Sequence, residues 1–191
     1  MNAIKNFKLP LIKVAAITAV LLSIPLTVMQ FTNEVVWSGS DFLIAGLLLF
    51  GAGAAYVLIR QRMDNSLYRI ATGLGTAAML FLLWSNGAVG LIGSENDPAN
   101  LMYLGVIAVG LIGALISGLK PRGLSYTFFA MSVSLLIITV IALITGMQNL
   151  PGSSVNEILA VNGVFIVLFT LPAILYRKLY MDGSGDPEAQ S

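Results

Sequence analysis

The chain has 191 residues, 57% of them hydrophobic and 10% charged, with a formal net charge of +1 and a mean hydropathy of +0.89. A soluble domain carries about 25% charged residues, so a soluble globular fold is excluded, and so small a net charge gives no reason to expect a nucleic-acid partner. With no Cys and no His, the chain cannot form disulfides, thiolate or imidazole metal sites, bis-histidine haem, or Ser-His and Cys-His nucleophile pairs.

A bilayer core takes about 20 apolar residues per helix. Six runs meet that need: 14–30, 42–59, 70–93, 101–119, 124–147 and 158–176. They leave too little chain for a soluble domain. The expected fold is therefore all-α: a six-helix transmembrane bundle forming one domain over 1–181, with a disordered polar tail at 182–191.

The first run follows Lys5, Lys8 and Lys13, as the apolar core of a signal peptide would. No small-residue cleavage site comes after it, so it is expected to remain as a helix, with Pro25 as a kink point. Between the first two runs lie Glu34 and "SGSD", Ser38 to Asp41. A Ser with a carboxylate three residues later can satisfy free N–H groups at a helix start, and the helix dipole favours that carboxylate. The second and third runs are joined by a basic segment holding Arg60, Arg62 and Arg69.

The third run carries Trp84 and Asn86, then Gly87, Gly90 and Gly93 in "NGAVGLIG". No strand precedes these glycines, so they do not make a nucleotide loop, and close helix packing is the expected role. With the helix running to Gly93, Asn86 would lie about 10 Å below its outer end at 1.5 Å per residue. Next comes "SENDPAN", Ser94 to Asn100. Asp97 before Pro98 suits a cap and a first helical position. Capping does not account for Glu95, Asn96 or Asn100.

The fourth run places Gly110, Ala114 and Gly118 at four-residue spacing, which lets another helix approach closely. Lys120 and Arg122 follow it. The fifth run carries Ser125, Thr127, Ser132, Ser134, Thr139 and Thr145, which form no clean stripe and so no obvious pore lining. The Ser-to-acid pattern of Ser38 to Asp41 recurs in "SEND", Ser94 to Asp97, and in "SVNE", Ser154 to Glu157, which opens the sixth run. Asn162 lies about 8 Å further in by the same helical rise. Pro172 is a second kink point, and Arg177 and Lys178 close the run. Trp37, Tyr103, Tyr126, Tyr176 and Tyr180 sit near run ends, where interfacial aromatics anchor a helix.

All ten basic residues fall on one side of this arrangement: before the first run, in the second and fourth connections, and after the sixth. Basic residues favour the cytoplasmic side, so both termini are expected there. The outer loops hold Glu34, Asp41, Glu95, Asp97 and Glu157 with no cation. No Asp, Glu, Lys or Arg lies mid-run. Intramembrane charges mark proton relays, so a proton-driven pump is disfavoured, and without an intramembrane Lys a retinal-type Schiff base has no place to form.

The run "NGAVGLIGSENDPANLMYLGV", with "SDF" upstream, "YR" at Tyr68 and Arg69, and "KPRG" at Lys120 to Gly123, resembles a family of small polytopic proteobacterial inner-membrane proteins. The likeness covers about 37–145. It implies a multi-pass location in the bacterial inner membrane and carries no activity. By that likeness the distinctive residues are Asp41, Tyr68, Arg69, Asn86, Glu95, Asn96, Asn100 and Tyr103.

Three functional readings stand. The first is a small-solute or cation channel, carrier or ligand-binding membrane protein. Its outward recess would be formed by Asp41, Asn86, Glu95, Asn100, Tyr103, Glu157 and Asn162, and its anionic mouth would draw cations or amines. The second is an accessory subunit of a larger membrane complex, packing through the small residues of the fourth helix. The third is an intramembrane lipid-modifying enzyme using two acids. In each the bilayer is the first partner, a homo-oligomer or another membrane protein a possible second, and no cofactor is called for. Asn86 and Asn162 have two readings, as hydrogen-bonding glue between helices or as the lining of the recess. The topology has a direct check: a reporter fused after Ser191 is expected to be active in the cytoplasm, and activity on the opposite side of the membrane would refute it.

Overall fold

The computed structural model describes residues 2–32 and 36–183, with the side chains of 2–8 excepted. Glu34 and most of the expected disordered tail lie outside the described residues. The described residues are all-helical apart from their connections, with six helices among them long and apolar enough to cross a membrane. They are α1 (Asn2–Phe31), α2 (Gly39–Arg60), α3 (Ser66–Ala88), α4 (Leu101–Ile116), α5 (Pro121–Ile144) and α6 (Val155–Met181). The chain divides into two compact units, α1–α2 and α3–α6.

In the first unit α1 and α2 pack antiparallel. Gly53 of α2 lies so close to Val14 that a Cβ there would meet its methyls, while Gly46 touches Leu22 further along. The start of α2 is held twice. Ser38 Oγ accepts from the Asp41 N–H, and the Asp41 carboxylate accepts from the Ser38 N–H at 2.6 Å, a complete capping box. Trp37, just before the cap, meets Phe42 edge-on at 5.2 Å, which is the hydrophobic staple that often accompanies such a box. At the other end Arg60 lies over the Tyr56 ring at 5.5 Å.

The second unit is a four-helix ring in which α3 packs on α6, α6 on α5, α5 on α4, and α4 on α3. Its interior at one end is aromatic. Tyr68 meets Tyr176 edge-on, and Phe128 stacks on both Phe169 and Tyr176. Each such pair contributes roughly 0.5–1.5 kcal/mol beyond its buried area. Gly75 makes room for the cluster, because a Cβ there would overlap the Phe128 ring. Tyr176, expected at the interface, is instead buried here with its hydroxyl 2.8 Å from Thr72 Oγ1.

Hydroxyls bond helix to helix through this core. Ser125 donates to the Ala173 carbonyl at 2.9 Å, and Ser132 reaches Thr170 and the Ile166 carbonyl. Those α6 positions flank Pro172. The α5 hydroxyls thus divide by face. Ser125, Thr127, Ser132 and Thr139 are buried, whereas Ser134 is half-buried and Thr145, just past the helix end, is exposed.

The α4–α5 turn departs from the expected helix length. α4 stops at Ile116, short of Gly118. Gly118 has φ 56° and Leu119 has φ 63°. The Gly118 N–H donates to the Leu115 carbonyl and the Leu119 N–H to the Ala114 carbonyl, the two bonds of a Schellman motif. Gly118 is therefore a helix terminator and not part of a packing face. Of the three residues proposed for that face, Gly110 lies against Met131 and Met79, Ala114 is half-buried, and Gly113 joins from outside the four-residue spacing, pressed on Thr127. A left-handed non-glycine costs roughly 1–2 kcal/mol. At Leu119 the turn bonds and one more offset it: the buried Tyr68 donates to the Leu119 carbonyl at 2.8 Å.

These links place the start of α3, the α4–α5 turn and the end of α6 at one end of the unit. Arg62, Arg69, Lys120, Arg122, Arg177 and Lys178 are all there, joined by Asp64, which pairs with Arg69 at 2.6 Å. Glu95, Asp97 and Glu157 are at the other. The packing has a direct test. Gly75→Ala should destabilise by about 1–3 kcal/mol, the usual cost of an overfilled core. Gly105→Ala, with open space around its Cβ, should not, and equal melting temperatures in detergent for the two variants would contradict this packing.

Candidate functional site

The acidic end of the four-helix unit is built around an early stop in α3. The helix ends at Ala88, five residues before the end expected from hydropathy. Gly90 and Gly93 follow at φ 73° and 67°, so they are turn residues and not a helical packing face. At Gly90 a Cβ would also meet the Ser94 carbonyl and the Asn100 amide, so glycine is required for space as well as for φ. Between the two, Leu91 and Ile92 turn inward and are buried.

A buried loop leaves backbone groups to be paired, and beside a bilayer water cannot serve every one of them. Asn100 meets that need. Its Oδ1 accepts from the Leu91 N–H at 2.8 Å and the Ile92 N–H at 3.1 Å. Its Nδ2 donates to the Ile92 carbonyl at 3.1 Å and the Ser94 carbonyl at 2.7 Å. One buried amide thus closes the loop with four bonds. This corrects the reading of Asn100 as a ligand-binding residue, because its polar atoms are already spent. Asp97 caps the following 3-10 turn, accepting from the Ala99 N–H at 2.9 Å, with Pro98 at the first turn position.

The loop is also tied to α6. Ser153, just before that helix, accepts from the Gly93 N–H at 2.8 Å. Ser154 caps α6 by accepting from the Glu157 N–H at 3.2 Å. Beneath the loop the Tyr103 hydroxyl donates to Asn162 Oδ1 at 3.2 Å, and Asn162 Nδ2 donates to the Ile158 carbonyl at 2.9 Å. Tyr103 is 1% exposed and Asn162 0%, so neither an interfacial anchor nor a recess lining describes them. They are interior glue between α4 and α6.

A recess of about 410 Å³ does lie at this end, on the seam of α3 and α6. Phe81 and Phe165, 5.2 Å apart between ring centres, lie among its walls with Val161 and Val164. Its polar edges are Ser85, the exposed carboxylate of Glu157, and the backbone of the glycine turn from Gly90 to Gly93. Its volume is in the range of small-molecule sites, which are mostly apolar with a few placed polar groups.

Of the seven residues expected to form a recess, only Glu157 borders this one. Asp41 is in the other unit and is spent on its cap. Glu95 is exposed and near Asn96, 3.5 Å from its amide. Asn86 sits in the last turn of α3, so it is not 10 Å deep, and its Oδ1 is buried with no hydrogen-bond partner among the described residues. Trp84 is half-buried and likewise not one of the walls.

Ser85, Phe81 and Phe165 were not singled out from sequence. Helical phase could have found them. Phe81 and Ser85 are four apart, as are Glu157 and Val161, and each pair makes one stripe. Asn86 is turned about 100° from Ser85 at 3.6 residues per turn. Among the described residues no three Asp or Glu side chains gather as a metal site. No family model, curated protein or solved structure matches this chain.

The Asn100 staple can be tested by removal. Asn100→Leu strands the Leu91 and Ile92 N–H groups, at about 1–3 kcal/mol for each buried unsatisfied group. A lowered melting temperature with fast hydrogen exchange at those two amides is expected, and wild-type protection there would overturn the assignment.

Proposed function

We propose that this is a bacterial inner-membrane protein that binds a small amphiphile with a cationic or amine head in the α3–α6 recess, which opens to the outer face. The carrying observation is the composition of that recess. Phe81, Val161, Val164 and Phe165 offer an apolar berth, and Glu157 stands at its edge with no basic residue at that end of the unit. An alkyl body would replace lipid against the rings, and a cation would meet the carboxylate. The charge distribution supports the orientation, with basic residues toward the cytoplasm and acidic loops outward. The resemblance of the central run supports the inner-membrane location.

Binding is favoured over conduction through the four-helix unit. Thr72, Ser125, Ser132, Tyr103 and Asn162 bond to one another's partners or to backbone carbonyls inside it. They are not arranged as a continuous file of free polar groups, as a pore would need.

The test compares a medium-chain alkylammonium with the alcohol of equal length, titrated against the purified protein. Glu157→Gln should weaken the ammonium about fivefold, the upper range for an exposed charge pair, and leave the alcohol unchanged. Val161→Trp should exclude both by filling the recess. If Glu157→Gln changes neither ligand and Val161→Trp binds as the wild type does, the recess is not the site.

A further inference from the structure

The basic end of the four-helix unit carries a second feature, far along the helices from the recess. Arg122 and Tyr126 are four apart on α5, and Arg177 and Tyr180 three apart on α6, so each pair shares one helical face. The two faces converge. The Tyr126 side chain lies close to Arg122, Tyr180 and Arg177. The Ser125–Ala173 bond holds the backbones together at this level. Tyr126 is 57% exposed, and both arginines are exposed. Among the described residues the one ion pair is Arg69 with Asp64, so neither of these guanidinium groups has a carboxylate partner.

We propose that Arg122, Tyr126, Arg177 and Tyr180 bind the phosphate of an anionic phospholipid in the leaflet at the basic end. Guanidinium groups present planar forks of donors that match phosphate oxygens, and phenol hydroxyls can add donors at headgroup depth. The charge is placed where an anionic leaflet attracts it most, and basic clusters between helix ends are a recurring headgroup site. A lipid is favoured over free phosphate by what adjoins the cluster. Following the Arg122–Tyr126 face of α5 toward the bilayer centre leads to Val133 and Ile137, both exposed. They form an apolar lane in line with the head site, along which acyl chains would lie.

The experiment uses the purified full chain in detergent, titrated with phosphatidylglycerol or phosphatidylcholine of the same acyl chains, with bound lipid counted by native mass spectrometry. Phosphatidylglycerol should bind more tightly. Arg122→Gln and Arg177→Gln should each weaken it about fivefold, the usual effect of one basic side chain beside an anionic lipid. The double variant should fall to the phosphatidylcholine level, while Arg177→Lys, which keeps the charge, should retain most binding. Arg62→Gln, at the same end but outside the cluster, should bind as wild type. All of these replace exposed side chains, and lipid-free melting temperatures verify that they fold. The proposal is overturned if Arg62→Gln loses as much as Arg122→Gln, because the effect would then be diffuse charge. It is also overturned if the two lipids bind equally. If inorganic phosphate stabilises the protein as phosphatidylglycerol does, the site takes free phosphate and the lipid assignment falls.

Discussion

Every backbone N–H and C=O in the hydrocarbon of a bilayer, or buried in the protein at its edge, needs a partner supplied by the protein, since hydrocarbon offers none. Much of what is specific in this structure answers that constraint. Helix interiors satisfy it by themselves; ends and connections do not. The reciprocal box at Ser38 and Asp41, the Ser154 cap, the Asp97 turn and the Schellman bonds at Gly118 and Leu119 are local answers. Asn100 is the non-local one. It serves four groups of a loop that precedes it by six to nine residues, and so allows Leu91 and Ile92 to be buried as apolar filling. Tyr68 does the corresponding work at the basic end, where it holds the carbonyl of a residue in left-handed conformation.

Helix association follows from a second constraint. Lipid tails are as apolar as leucine, so burying leucine between helices gains little over leaving it in lipid. What remains is close packing and a few interhelical bonds, each averaging about 0.6 kcal/mol in membranes. The four-helix unit uses both. Gly75 under Phe128, Gly110 under Met131 and Gly113 under Thr127 bring backbones together, and Ser125 and Ser132 of α5 then reach carbonyls on α6. The outward residues, from Leu111 and Leu115 on α4 to Val133 and Ile137 on α5, are left large and exposed for lipid.

The recess is a product of these solutions. α3 ends early because Gly90 turns the chain back, and α6 begins only after Ser153 has tied that loop down. Two helix ends of unequal reach leave a gap on their seam. The chain fills the inner side with Leu91 and Ile92 and leaves the outer side bordered by Ser85 and Glu157. A loop stapled this firmly would hold the shape of that gap without a ligand, so binding would require little ordering.

Charge and hydropathy alone determined the number of helices, because transfer of about 20 apolar residues into lipid is a sum over composition and needs no knowledge of neighbours. They also determined which ends are basic, since every Lys and Arg falls before the first run, in the second and fourth connections, or after the sixth, whatever the packing. Capping was readable at Ser38, Asp97 and Ser154 for the same reason: a cap acts within three residues. Helix ends were not readable where they depend on partners at a distance. Hydropathy continues through Gly93 and Gly118, and only the Asn100 staple and the turn under Tyr68 decide that the helices stop before them. The fate of each polar side chain was decided in the same way. In sequence Asn100, Tyr103 and Asn162 look like a free polar lining, but tertiary packing pairs Tyr103 with Asn162 and spends Asn100 on the loop. Ser85, one position from Asn86, borders the recess because a helical step of about 100° separates what sequence places side by side.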